Sequence, residues 1–266
     1  MEYLVIADEF ADPLAAAGLD RFDALMRGPV GETIKRKPGR EVRRVAVGER
    51  LFFLRRVDAE PVGMALRSWA RLRRAESPCV REARLIEALR RQGIAVMRAA
   101  AWGERRVLGV PRESFLLAEG VAGRELDVVF RDADDQQRCE IAAALGTLLG
   151  RLNQLGYFQR LRLRDLIVTQ NPPQLVLIDR ETTRTDAQPV TMERCCDCLA
   201  RCWCKLIQTG HHLQKTLLQK TGQVRFLRAY ADMMGWSKKQ RRQAVARVKH
   251  RVESLTRRGG KYERPA

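Results

Sequence analysis

The sequence predicts an α+β fold of two lobes: an N-terminal antiparallel β-sheet lobe with one inserted helix over residues 1–120, and a mainly helical C-terminal lobe over 121–266. Three observations carry this reading. Between residues 31 and 56, short apolar and β-branched runs alternate with turn formers. One helix-periodic stretch interrupts the strands at 79–92. From residue 139 onward helical periodicity dominates, broken once by a strand–turn–strand around 166–178.

The elements follow in order. In GETIKRKPGREVRRVAVGERLFFLRR (31–56), Pro38-Gly39 and Gly48-Glu49 supply turns, and Val45, Val47 and Leu51 to Leu54 supply strand residues. CVREARLIEALRRQ (79–92) carries an apolar stripe of Val80, Ala83, Leu85, Ile86 and Leu89, and Gly93 stops it. AVMRAAAWG and SFLLAEG read as two further strands. CEIAAALGTLLGRLNQLG (139–156) is a long helix ending at Gly156. In GYFQRLRLRDLIVTQNPPQLVLID (156–179), the runs Leu166 to Val168 and Leu175 to Ile178 flank Asn171-Pro172-Pro173, with Asp179 at the exit. Helices around 192–208, 221–233 and 238–257 complete the chain, and the last residues read as a frayed tail. A strand-rich lobe joined near Glu119 to Gly123 to a helix-rich lobe is the outline of a protein-kinase-like fold.

Composition narrows the partners. The 266 residues are 45% hydrophobic, enough to bury a core, and 50 Lys+Arg against 32 Asp+Glu give a net charge of +18. Such a field attracts polyanions: nucleic acid, anionic lipid headgroups, phosphorylated glycans or nucleotides. A nucleic-acid-binding protein accounts for the charge alone, because stacking aromatics are scarce (6% Phe, Trp and Tyr) and no recognition motif is present. No apolar run approaches the ~20 residues of a membrane span. MEYLVIADEFADPL has early acids and no basic start, so it is not read as a signal peptide. The expected compartment is the cytoplasm, with reduced cysteines. Five of the seven cysteines fall in RCCDCLARCWC; Cys195, Cys198 and Cys202 share one helical face. Helix core is the first reading and a metal or redox site the alternative.

Asp179, leaving a strand pair, stands where a phosphotransferase holds its metal; a strand-end cap is the alternative. Taken together, GETIKRKPGREVRRVAVGERLFFLRR, VREARLIEALRRQGI, SFLLAEGVAG, LVLID, CDCLA and VRFLRAY fall in the order and spacing of one family. The chain resembles the bacterial lipopolysaccharide core kinases, the Kdo and heptose kinases, from about residue 22 to 258. The resemblance implies ATP and Mg²⁺ as cofactors and an inner-core sugar hydroxyl, on core oligosaccharide or lipid A–core, as acceptor. It places Gly31 and the segment to Arg40 over the phosphates. It puts Arg55 where the family has its phosphate-binding lysine, with Arg56 in the next register, and Glu82 as that cation's partner. It further implies that Glu119 and Val121 bracket the adenine through backbone groups, that Asp179 is the metal ligand, and that Asp197 braces the catalytic loop.

The loop itself departs from the family. Gly156 and Tyr157 set the register, so the His-Arg-Asp-like triplet lands on Gln159-Arg160-Leu161 and the second metal ligand on Leu166. A leucine neither accepts a proton nor binds Mg²⁺. Asp165 is the nearby carboxylate: in a shifted register it takes the place of the catalytic acid, and it fits better as the distal metal ligand. Arg160 with Arg162 and Arg164 suits either an anionic acceptor or a solvated basic face. Two functions follow from the resemblance. One is an ATP-dependent core kinase. The other is a pseudokinase that binds or scaffolds a partner kinase or glycosyltransferase. The basic helix from Lys238 to Arg258 has two readings as well, a solvated face or a contact with anionic membrane.

Overall fold

The computed structural model of the protein describes residues 1–58, 76–158, 162–170, 173–179, 184–185, 190–212 and 218–257. They form two compact units: Met1–Val121 together with Asp179–Glu181, and Ala122–Ile178 together with Thr182–Ala266.

The first unit is built on a six-stranded antiparallel sheet in the order β1-β5-β6-β4-β3-β2. Its strands are β1 (Glu2–Ile6), β2 (Glu32–Lys37), β3 (Arg40–Val47), β4 (Arg50–Val57), β5 (Ala99–Val107) and β6 (Val110–Glu119). The turns at Pro38-Gly39 and Gly48-Glu49 fall where the sequence puts them. Helices α1 (Asp8–Ala16) and α2 (Phe22–Arg27) precede the sheet's central hairpins, and α3 (Pro78–Arg91) is inserted between β4 and β5. The residues of β1, α1 and α2 carry no element in the sequence reading. β1 is a five-residue edge strand exposed at its start, and α1 contains Pro13, an interior breaker by rule.

Alternation along β4 decides what each residue does. Phe52, Leu54 and Arg56 face α1 and α2, where Phe10, Leu14, Phe22, Leu25, Phe115 and Leu117 complete a core. Phe10 meets Phe52 edge-on with ring centroids 5.7 Å apart, and Phe22 meets Phe115 at 5.4 Å. Each of these fully buried side chains is worth about 1.5–3 kcal/mol. Arg55 points to the other face, which α3 covers by packing on β5 and β6. Ser77 caps α3, its Oγ accepting the Val80 N–H at 3.3 Å, with Pro78 at the first helical position.

The second unit is mainly helical: α4 (Leu126–Asp132), α5 (Asp135–Gln154), α6 (Met192–His212), α7 (Lys220–Met233) and α8 (Lys238–Arg257). A capping box between Asp134 and Gln137 starts α5. Gly146 and Gly150 let α7 lie close against α5: a Cβ at Gly146 would stand 2.2 Å from the Phe226 carbonyl oxygen. Below them the buried Asn153 Nδ2 donates to the Tyr230 hydroxyl at 2.8 Å. A small sheet, β10-β9-β7, holds the predicted strand pair as β9 (Leu166–Gln170) and β10 (Pro173–Leu177), with β7 (Arg124–Glu125) beside β9. β8 (Tyr157–Phe158) pairs with β11 (Arg184–Thr185).

All five clustered cysteines lie in α6 and are buried. Burial pushes the Cys196 thiol up to about 11. A hydrogen bond with Cys202, and then burial, raise Cys198. Both disfavour the thiolate that metals and oxidants need. Among the described residues no group of three or more His, Cys, Asp or Glu side chains is arranged to hold a metal. The helix-core reading is therefore the one with a structural account.

Candidate functional site

The candidate residues divide between the two units, and each set has its own geometry. In the first unit, β4 presents Arg55 to α3, and its guanidinium Nη2 pairs with the Glu82 carboxylate. The Glu82 side chain is 1% exposed and that of Arg55 11%. Two ions removed from water to this degree are stable only as a satisfied pair. Cys79, one turn before Glu82, and Ser114 on β6 border the pair; burial raises the Cys79 thiol, while Arg55 and Ser114 pull the other way. Sequence reasoning missed both. Cys79 lies three residues from Glu82 on α3, which is a visible signal; Ser114 has none, because its place depends on strand register.

Arg56, the next-register candidate, does something else. It is 4% exposed, and its Nε and Nη2 donate to the carbonyls of Leu25 and Gly28, each at 2.7 Å. It ties α2 to β4 and is turned away from Glu82.

Gly31 stands at the base of the β2–β3 hairpin rather than at its Pro38-Gly39 tip. Its φ is +65°, and a Cβ there would lie 2.1 Å from the Arg44 carbonyl oxygen, so no side chain fits. Its carbonyl accepts Arg43 Nη2 at 2.8 Å. The exposed tip is cationic: Lys35, Arg36 and Lys37 lead into it.

At the end of β6, Glu119 forms an ion pair with Arg98, and its N–H donates to the Arg98 carbonyl at 2.9 Å. The Gly120 N–H is taken by Leu51 O at 2.7 Å. Val121 follows with neither its N–H nor its C=O hydrogen-bonded among the described residues.

In the second unit, Asp165 closes a 3₁₀ turn, Leu163–Asp165, and is 8% exposed. Its carbonyl accepts the Ile178 N–H at 2.8 Å, which ties the turn to the residue preceding Asp179. Asp179 itself belongs to the first unit; its φ is +57°, one of two positive values at non-glycine residues among the described residues. Aspartate tolerates that region at a cost, and residues held there cluster at ligand sites. Arg160 lies outside the described residues, as do Gln159 and Leu161. The Asp197 carboxylate is divided between Arg201 Nε and Arg251 Nε, each at 2.6 Å, so it links α6 to α8.

Residues 54–192, just over half of the chain, match the lipopolysaccharide kinase (Kdo/WaaP) family. The chain belongs to this family. Arg55, Glu82, Glu119, Val121, Asp165 and Asp179 fall within the matched span, and Gly31 precedes it. Among solved structures, "WaaP in complex with acyl carrier protein" is similar in fold at a TM-score of 0.65 and 20% identity, over 95% of this chain and 99% of that one. The crystal structure of WbdD aligns at a TM-score of 0.44 and 15% identity, over 82% of this chain and 50% of that one. No curated protein sequence matches the chain. The Kdo/WaaP assignment and the WaaP likeness agree on a kinase-like fold with the antiparallel sheet described above.

Proposed function

We propose that the protein is an ATP-dependent phosphotransferase that phosphorylates an inner-core sugar, heptose or Kdo, of lipopolysaccharide. The observation that carries this reading is the Arg55–Glu82 pair, buried on the face of the sheet that α3 covers. A kinase fold sets a cation there for the α- and β-phosphates and orients it with a helix carboxylate. Val121 offers the adenine its open backbone groups beside Glu119, and the hairpin rising from Gly31 lies over the phosphates. The resemblance offers Asp179 of the first unit, and separately Asp165 of the second, as carboxylates for Mg²⁺, which keeps waters and phosphate oxygens and needs only one or two protein carboxylates. Bound there, Mg²⁺ would neutralise charge on the phosphates. Arg160, which lies outside the described residues, is the cation that the resemblance offers to an anionic sugar.

A second reading rests on Leu161. With no acid at that position the acceptor hydroxyl loses a proton acceptor, a deficit of about 10²–10⁴-fold in rate. Phosphoryl transfer depends mainly on position and charge and can outlast that loss. The alternative is a nucleotide-binding pseudokinase that scaffolds a partner kinase or core glycosyltransferase.

Two measurements separate these. ATP with Mg²⁺ at about 100 times its dissociation constant should stabilise the fold by about 2.7 kcal/mol. No shift in melting temperature would sink both nucleotide readings. Labelled phosphate then moves from ATP to dephosphorylated core if the protein is a kinase. Binding without transfer, together with co-elution with a core-assembly enzyme, would establish the pseudokinase.

Among the described residues no helix is long and apolar enough to cross a membrane. We place contact with the anionic bilayer that carries the acceptor on α8. Ala244, Val248 and Leu255 bury one side of this helix, and Lys238, Lys239, Arg242 and Lys249 are exposed on the other. Each such cation is worth about 1 kcal/mol near an anionic surface. Sedimentation with vesicles should rise with anionic lipid and fall when these four are changed to Glu; binding unaffected by that change would refute the placement.

A further inference from the structure

A second buried ion pair lies in the first unit, and no nucleotide role accounts for it. Glu104 and Arg106 sit two apart on β5, hence on one face, and are 3% and 8% exposed. Arg106 Nε donates to Glu104 Oε1 at 2.6 Å, and its Nη1 reaches the Gly109 carbonyl at 3.2 Å. The other carboxylate oxygen, Oε2, accepts the backbone N–H of Ser77 at 2.9 Å. Ser77 is the N-cap of α3 and is itself buried.

That last bond has a specific meaning. In a capping box, the N-cap side chain accepts from the third helical residue, whose own Glu or Gln side chain returns the favour to the N-cap N–H. Here the first half is present, Ser77 Oγ with the Val80 N–H. The third residue is Val80, which cannot supply the second half. Glu104 supplies it from a neighbouring strand. The helix is thereby capped and also pinned, in rotation and along its axis, to β5. A negative charge beside the helix N-terminus adds to the attraction, and Arg106 neutralises it in the interior.

Glu82 stands five residues into that helix, little more than one turn from the pin. We propose that Glu104, held by Arg106, is a positioning residue that sets α3 so that the Glu82 carboxylate meets Arg55. This builds on the proposed nucleotide role of the Arg55–Glu82 pair, but the geometric claim stands apart from it. β5 serves as the fixed reference because it lies inside the sheet, between β1 and β6. The bond from β5 is a sequence-distant anchor at the N-terminal end of α3.

Changing Glu104 alone would strand a buried arginine at a large cost in stability, so the test uses Glu104→Leu with Arg106→Leu, an apolar replacement of the whole pair. Two quantities are read. The first needs no activity: a double-mutant cycle with Arg55→Ala and Glu82→Ala, followed by urea unfolding. The coupling between Arg55 and Glu82 should be largely lost in the Leu-Leu background; undiminished coupling would overturn the proposal. The second is the KM for ATP, which should rise roughly 10- to 100-fold with the acceptor KM unchanged. In a Glu82→Gln background the same replacement should add nothing further. An equal additional rise there would show that Glu104 acts by another route, and would also overturn it. Absence of ATP binding by the parent protein would refute the nucleotide reading, while the coupling result would still judge the pin.

Discussion

The Asp179→Asn variant should lose phosphate transfer to lipopolysaccharide core by on the order of 10³-fold or more while keeping its melting temperature. Asparagine is the informative choice. Asp179 has φ +57°, a region that Asn occupies readily and Ala does not. Asp179→Ala would mix a backbone penalty of about 1–2 kcal/mol with the loss of the carboxylate. Asp179→Asn removes only the charge that would hold Mg²⁺. Several kcal/mol of charge stabilisation is the usual worth of such a metal. The measurement is labelled-phosphate transfer at saturating ATP, with thermal unfolding alongside. Transfer that survives the substitution would mean that Asp179 is a strand-exit residue and not a ligand. Asp165→Asn, assayed in the same way, reports on the second carboxylate.

Glu82→Ala should cost the fold about 3–5 kcal/mol, because it leaves the Arg55 guanidinium buried without its anion. That is a large share of the roughly 5–15 kcal/mol that a domain possesses. Urea unfolding should show an earlier midpoint with little change in slope. Arg55→Lys is the companion. It keeps a positive charge against Glu82 and so should lose far less stability than Glu82→Ala. It also restores the cation type that the resemblance to the core kinases expects at this position. ATP affinity should fall with Glu82→Ala and persist with Arg55→Lys. A Glu82→Ala protein as stable as the parent would show that Arg55 finds another partner, and the site argument would lose its main support.

Much of the fold was legible in local sequence. The β2, β3 and β4 strands follow from Pro38-Gly39 and Gly48-Glu49, since these turn residues commit the chain to hairpins before any long-range contact forms. The apolar stripe of α3, the strand pair β9–β10 and the three C-terminal helices were readable for the same reason: periodicity and punctuation are local. β1, α1 and α2 were not readable. Their sequences are short or broken by Pro13, and they are held by packing on Phe52, Phe115 and Leu117, which is a tertiary matter.

The site divides along the same line. The sequence by itself determined which side chains are available, and its resemblance to the family proposed their roles: Arg55 toward the phosphates, Glu82 to meet it, Asp165 and Asp179 as hard carboxylates, and Leu161 in the acid's place. Residue type and order in the chain are sufficient for that. Only the tertiary structure decided which of two adjacent arginines turns toward Glu82. Arg55 and Arg56 differ by one position on a strand, and one position is a change of face. It also decided that Gly31 is a packing necessity at a hairpin base and that Asp197 belongs to Arg201 and Arg251. It placed Glu104 at the end of α3 as well, 27 residues from the Ser77 amide it holds. Contacts at that separation depend on strand register and helix placement, and neither is written in the local pattern of the chain.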